Sequence, residues 1–280
     1  MSGPVLNATN IGLGYPRTQG WQTVLEKFDL QLQPGEVVSI LGPSGVGKSS
    51  LLRVLAGLQV AHRGSVSLLG EQLTGAHPRV AVAFQDPSLL PWLTLEKNVA
   101  FGLDFIRQPH LNPKERKVRI DHAIAAVGLE HARQHYPAQL SGGMAQRTAI
   151  ARCLARQPQV LLLDEPFGAL DEVTRADMQQ LLLDVITEHD TAAVLITHDI
   201  DEALLLSDRI LLLGNSPARI LDEWHIHLPQ PRTERVEELG ALRIDILKTL
   251  RRASRNLLTQ HLHETSETDY VPGRLHSHTS

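Results

Sequence analysis

Residues 42 to 49 read GPSGVGKS, which fits the pattern G-x-x-x-x-G-K-[ST]. With Gly42, Gly45 and Gly47 spaced by Pro43, Ser44 and Val46, successive backbone N–H groups can converge on phosphate oxygens. The helical run SSLLRVLAGL that follows adds the favourable dipole of a helix N-terminus. Lys48 is expected to reach the outer phosphates and Ser49 to offer a hydroxyl to magnesium, with Ser50 part of the same nucleotide-binding set. A nucleoside triphosphate held this way needs a further metal partner and a means of activating water. VLLLDEP, residues 160 to 166, supplies both: Asp164 as an outer ligand of the metal and Glu165 as general base. Adjacent carboxylates at the end of a buried strand are costly unless a cation or substrate sits there. Gln85, ending RVAVAFQ, and His198, ending AAVLITH, fall at the same carboxyl edge, where open α/β sheets bind ligands. His198 is expected to contact the γ-phosphate.

A second glycine pair follows about ninety residues later, in LSGGMAQ. Ser141 is placed to cap a helix, and the Gly142 and Gly143 amides are free to approach an anion. This helix start belongs to a helical insertion. If the fold holds that insertion away from its own phosphate loop, the natural ligand is the nucleotide on a second copy of the chain, giving a head-to-tail dimer.

The elements that must position these residues alternate between short β-rich runs and longer helical periods, which predicts a mostly parallel α/β sheet covered on both faces. EVVSILG (36 to 42), RVAVAFQ (79 to 85), VLLLDE (160 to 165) and AAVLITH (192 to 198) read as its strands. NIGLGY and RGSVSLLG alternate more and carry glycine, as antiparallel edge strands do. The expected division is a first part of the core over 1–87, a helical subdomain over 88–158, a second part of the core over 159–225, and a carboxyl-terminal helix and tail over 226–280. That last segment holds the proline-rich joint LPQPR, a helix around LGALRIDILKTLRRASRNLL, and a polar tail expected to be disordered from about His261. His261, His263, His276 and His278 read as a solvated tail rather than a metal site.

Composition narrows the function classes. The 280 residues, 42% hydrophobic, can bury a sizeable core. Lys plus Arg number 27 against 31 Asp plus Glu, with no long basic run, so nucleic acid is not expected as a partner. One cysteine, Cys153, allows no internal disulfide and reads as a small core residue; with no secretory signal pattern at the amino terminus, a reducing cytoplasm is expected. Apolar runs such as ILLLG fall short of the roughly 20 residues that span a bilayer, so membrane association is expected to be peripheral.

Taken in order and spacing, GPSGVGKSS, FQDPSLLPW, LSGGMAQR, LLLDEPFGALD and LITHD resemble the ATP-binding subunit of an ABC transporter, over roughly residues 5 to 225. The resemblance implies two subunits that sandwich two ATP molecules with Mg2+, the Ser141 signature of one completing the site of the other. It implies that Gln85 senses the γ-phosphate at the metal and heads a loop against the membrane permease, that Asp171 crosses the dimer interface, and that His198 is the switch histidine. Tyr15 stands where an aromatic stacks on adenine, although the stretched spacing PRTQGWQ leaves Trp21 as an alternative. Ser50 stands where threonine is commoner and Gly168 where serine is. FQDPSLLPWLTLEKNVAFGL and DEPFGALDEVTR look like the importers of nitrate, sulfonates, taurine and thiamine precursors, which implies a peripheral location at the cytoplasmic face of the inner membrane and an indirect partnership with a solute-binding protein. In such importers Leu89, Leu90, Trp92 and Phe101 would line the groove that receives the permease. The alternative is a soluble ABC ATPase acting on a nucleic-acid or ribosomal complex, against which stand the near-neutral charge and the single nucleotide-binding unit. A P-loop kinase would have no use for LSGGMAQ.

Overall fold

The structure, a computed structural model, describes residues 3–17, 20–233 and 235–268. The chain interleaves two sheets. Strand β1 (Leu6–Arg17) turns back into β2 (Gly20–Leu32), with Leu6 opposite Leu32 and Tyr15 opposite Gln22. β3 (Val37–Leu41) leaves for the second sheet and leads into α1 (Lys48–Leu55). β4 (Arg63–Leu68) and β5 (Glu71–Gln72) return to the first, which is antiparallel in the order β2-β1-β4-β5. After β6 (Val80–Ala83) come three helices, α2 (Leu95–Ala100), α3 (Pro113–Ala126) and α4 (Gly142–Leu154), before the chain regains the second sheet at β7 (Val160–Asp164). Then follow α5 (Glu172–His189), β8 (Ala192–Ile196), α6 (Ile200–Leu206), β9 (Arg209–Gly214), β10 (Arg219–His225) and α7 (Val236–Thr268).

The second sheet runs β10-β9-β3-β8-β7-β6, parallel except for β10. Its centre is apolar on both faces, as a covered parallel sheet requires: β3, β7 and β8 are buried at every position. Alternation along β7 sorts the two sides. Val160 and Leu162 join the core shared with α1 and the antiparallel sheet, while Leu161 and Leu163 join the core beneath α2 to α5. Truncating Leu162, fully buried, to alanine costs about 2–5 kcal/mol.

The expected α/β class and the antiparallel edge strands are found, and the segment between β6 and β7 is helical. Four strands go unnamed by the sequence reading, β2, β5, β9 and β10. In β2 the burial alternates over Phe28, Leu30 and Leu32, while in β10 only Trp224 is buried, so β10 carries little apolar signal. The tail is corrected as well. Helix α7 continues through His261 and His263 to Thr268, because no proline interrupts the chain between Pro231 and Pro272. His276 and His278 lie outside the described residues.

Helix α7 packs Leu239 and Ile246 into a third core with Leu204, Ile210 and Trp224. Arg232, 2% exposed, ties the proline-rich joint to the end of α6 by donating to the carbonyls of Ser207 (2.6 Å), Leu204 (3.2 Å) and Leu228 (2.8 Å). These carbonyls include groups that a helix C-terminus leaves without partners.

Candidate functional site

Helix α1 starts bare. Its N-cap Gly47 has φ 101°, and no side chain caps the first turn. A Cβ there would sit 2.9 Å from Val24, so only glycine keeps those N–H groups open to an anion. Lys48 is buried and folds back over the loop, donating to Gly42 O at 2.8 Å and Pro43 O at 3.0 Å. Burial lowers its pKa, opposed by the charges of Glu165 and Asp164. Across from it Asp164 ends β7, 5% exposed, and burial raises its carboxyl pKa against the hydrogen bond from Ser49.

Glu165 joins the other strand ends. Its backbone lies in the left-handed region at φ 47°, a conformation costing about 1–3 kcal/mol for a residue with a side chain. Its N–H is bound to Ile196 O at 2.8 Å. That geometry aims the carboxylate between two neighbours: Gln85 Nε2 donates to Oε2 at 3.1 Å, and His198 Nδ1 lies 3.2 Å from Oε1. Gln85 and His198 each lie two residues past their strands, which end at Ala83 and Ile196, in the loops rather than at the strand ends. The structure thus brings together Gln85, Asp164, Glu165, His198, Lys48 and Ser49.

Tyr15 and Trp21 separate. A Cβ built on Gly14 would run into the Trp21 indole, so Trp21 lies over the Gly14 side of β1, edge-on to His62. Consecutive strand residues point to opposite faces, and Tyr15 points the other way, toward the phosphate loop. Its hydroxyl is 3.0 Å from Ser50 Oγ. That bond, with a weaker one from Gln59, lowers the Tyr15 pKa.

The signature residues stand apart from this cluster. Ser141 caps α4 by accepting from Met144 N at 3.2 Å, and Ser141 and Gly142 are exposed. Gly143 packs against the segment before α5, where a Cβ would be 3.3 Å from both Ala169 O and Leu170 Cδ2. Asp171 caps α5, accepting from Thr174 N at 3.0 Å, and this bond holds its pKa low. Gly168 meets only the backbone of Glu165 at 3.7 Å, so serine's absence there leaves no gap.

Of the four expected groove residues, Phe101 lines a cavity of about 840 Å³ with Phe84, Phe105 and Arg107; Leu89, Leu90 and Trp92 lie outside it. Trp92 is 70% exposed. Cys153 is buried beside this cavity and its thiol is pushed up to about 11, as expected of a core residue.

Two residues that shape this region went unnoticed in the sequence. Asn98, fully buried, accepts from Leu90 N at 2.8 Å and donates to the carbonyls of Leu90, Leu93 and Thr94. Arg152 on α4 donates to Pro87 O at 2.9 Å and Ser88 O at 3.1 Å. Together they fasten the segment after Gln85 to α2 and α4. An asparagine at the i+3 position from Leu95, on the buried side of the short helix LEKNVA, was the available signal.

Comparison with known proteins places this geometry in a family. The profile described as ABC transporter matches residues 25–168, just over half of the chain. An aliphatic sulfonates import ATP-binding protein of Burkholderia lata is 48% identical over 229 residues, covering 81% of each chain. One from Pseudomonas aeruginosa is 46% identical over 85% of this chain and 94% of the relative. A bicarbonate transport ATP-binding protein of Synechococcus elongatus is 46% identical over 80% of this chain, which spans 34% of that longer protein. The dimeric structure of a bacterial ABC transporter cassette superposes with a TM-score of 0.73 at 31% identity, covering 80% of this chain and all of that one. By sequence, by fold and by the convergence at its sheet edge, the chain belongs to the ABC transporter family, as an ATP-binding and ATP-hydrolysing transport subunit.

Proposed function

We propose that the chain is one half of an ATP-driven importer motor, with Glu165 as the general base of hydrolysis. The observation that carries this reading is the Glu165 carboxylate held between Gln85 and His198 beside the Lys48 loop. Glu165 accepts a proton from the attacking water, Gln85 and His198 fix the carboxylate's orientation, and Lys48 with the bare start of α1 stabilises charge on the phosphates. Gly42 to Ser50 cradle the triphosphate and Tyr15 stacks on adenine. Catalysis is mostly positioning.

Ser49, Gln85 and Asp164 would hold a magnesium ion, which when bound offsets phosphate charge. The fit is chemical: all three offer hard oxygen donors, and the burial that raises the Asp164 pKa is an environment that favours a cation beside it.

The exposed, self-capped start of α4 supports a dimer in which Ser141, Gly142 and Gly143 meet the nucleotide of a second copy, with Asp171 at the interface. On this reading residues 88–158 form a helical subdomain between the two parts of the core, 1–87 and 159–225, and 226–280 are an added segment. No helix among the described residues is long and apolar enough to cross a membrane. The chain then works as a peripheral subunit on the cytoplasmic face of the inner membrane, against a permease fed by a solute-binding protein. Relatives named for aliphatic sulfonates and bicarbonate support a small oxyanion as cargo.

The test is Glu165→Gln. It should bind ATP, lose hydrolysis and accumulate as an ATP-dependent dimer in size-exclusion chromatography; a monomer that still hydrolyses ATP would overturn the assignment.

A further inference from the structure

Glu202 is buried in the first turn of α6, where a carboxyl is costly to place. The helix does not need it as a cap. Asp199 already serves there, accepting from Asp201 N at 2.9 Å and from Glu202 N at 3.2 Å. The contacts of the Glu202 carboxyl lie outside α6. Burial opposes its charge most, while hydrogen bonds from the Thr197 hydroxyl and from the Gln179 amide of α5 support it. Of the charged groups that face it, Asp199 on the same turn repels it and Arg175 on α5 attracts it. Asp201 is turned to Arg243 of α7 at 3.0 Å, and β3, packed beneath α6, carries no titratable side chain.

Thr197 connects this carboxyl to the site. It is buried directly after β8, and its Oγ1 accepts from Asp199 N at 3.0 Å, closing a three-residue turn with His198 at its centre. The hydroxyl has one proton to give, and Glu202 takes it. Ile196, just before this turn, accepts from Glu165 N at 2.8 Å, and His198 Nδ1 lies 3.2 Å from Glu165 Oε1. One short segment therefore carries both the backbone acceptor of Glu165 and one of its two side-chain neighbours. The His198 side chain is 71% exposed, so packing does little to orient it and the turn must. On its far side Glu202 meets α5, which starts at the Asp171 cap; there Arg175 donates to Leu170 O at 3.0 Å, and Gln179 stands one turn further on.

We propose that Glu202 is a positioning residue for ATP hydrolysis: through the Thr197 hydroxyl it holds the turn that aims His198 at Glu165, and through Gln179 it braces that turn on α5. This role rests on the reading of Glu165 as general base. A carboxylate holds a hydroxyl more firmly than a neutral acceptor does, so hydrolysis is faster when Glu202 is ionised. That state is reached as pH rises through about 7.

The test compares kcat of the full-length protein with that of Glu202→Gln between about pH 5.5 and about pH 8.5. The parent-to-variant ratio should rise from about one at the acid end to about five- to tenfold at the alkaline end, with its midpoint near 7, and KM for ATP should stay the same. Groups that titrate in both proteins cancel in the ratio. Glutamine also removes the cost of a buried charge, so at the alkaline end the slower variant should be the more stable one by urea unfolding. A carboxyl with a structural role alone would lose activity and stability together. Thr197→Val should lower kcat at the alkaline end to a similar extent, and adding Glu202→Gln to it should change nothing further. A flat ratio, a ratio that falls as pH rises, or additive losses in the double variant would each overturn the proposal. Glu165→Gln reads the base by itself: turnover that survives it overturns the base assignment, whereas turnover lost there beside a flat Glu202 ratio overturns only the positioning role.

Discussion

Helix α1 starts behind Gly47 and helix α4 starts at Gly142 behind Ser141, yet their surroundings are opposite. The start of α1 has no side-chain cap and faces a buried lysine, a buried aspartate and a carboxylate clamped by two further side chains. The start of α4 is capped by its own Ser141, lies exposed, and has no ion pair at residues 141–143 among the described residues. A helix N-terminus attracts anions in either setting. Chemistry needs more: groups that take a proton, and burial that makes charge effective. The first end has both within its own chain. The second has only the N–H groups and the dipole, which suits a surface that completes a site built elsewhere.

Substitutions can break this contrast at either end. The largest effect is expected from Glu165→Gln, which removes the proposed base from the first of these ends; kcat should fall about 10²–10⁴-fold with ATP affinity retained, read by steady-state hydrolysis and nucleotide titration. Ser141→Arg should come next, lowering kcat about 10²–10³-fold while leaving nucleotide binding by the monomer intact. Equal loss of binding would place Ser141 in the site of its own chain.

A third substitution asks how far charge behind the complete end sets the frame. Glu202 on α6 is 6% exposed, and burial pushes its pKa from 4.5 up to about 7, against Thr197 and Gln179, with Asp199 adding and Arg175 opposing. A carboxyl whose folded pKa is raised keeps its proton in the folded state after the unfolded chain has lost it. Stability is therefore lost as pH rises from about 4.5 to about 7 and is level above that. Glu202→Gln removes this dependence: the variant should match the parent near pH 4 and exceed it by up to about 3 kcal/mol near pH 8, measured by urea unfolding. Parallel pH profiles would mean the carboxyl is ionised when folded.

The smallest effect concerns adenine. Tyr15→Ala should raise KM for ATP about three- to tenfold, the worth of one aromatic contact, and Trp21→Ala should leave it unchanged. The reverse result would move the platform to the other face of β1.

How much of this was legible in the sequence follows from what each residue needs. Lys48, Ser49, Asp164 and Glu165 were readable because their chemistry demands fixed residue types beside a strand end or helix start. Tyr15 against Trp21 was not, since it depends on which face of β1 looks at the phosphate loop, and that is fixed by the pairing with β2. Asn98 and Arg152 were hidden for another reason: their partners are backbone carbonyls of the loop after Gln85, and a carbonyl has no residue signature. Of the residues read as lining a groove, Phe101 lines the cavity together with Phe105 and Arg107, while Leu89, Leu90 and Trp92 stand outside it. The end of α7 was misjudged because polar composition was taken for disorder, although a helix anchored at Leu239 and Ile246 can continue through polar residues.

The most direct measurement of the contrast between the two helix starts is a cross-link between different copies. Protein carrying Ser44→Cys is mixed with protein carrying Ser141→Cys, and a short bifunctional maleimide is added with or without ATP. Cys153 stays silent, since it is buried and its thiol is pushed up to about 11. A cross-linked pair is expected only in the mixture and only with ATP. A link formed within a single chain carrying both cysteines at low concentration, or no ATP-dependent link in the mixture, would contradict it.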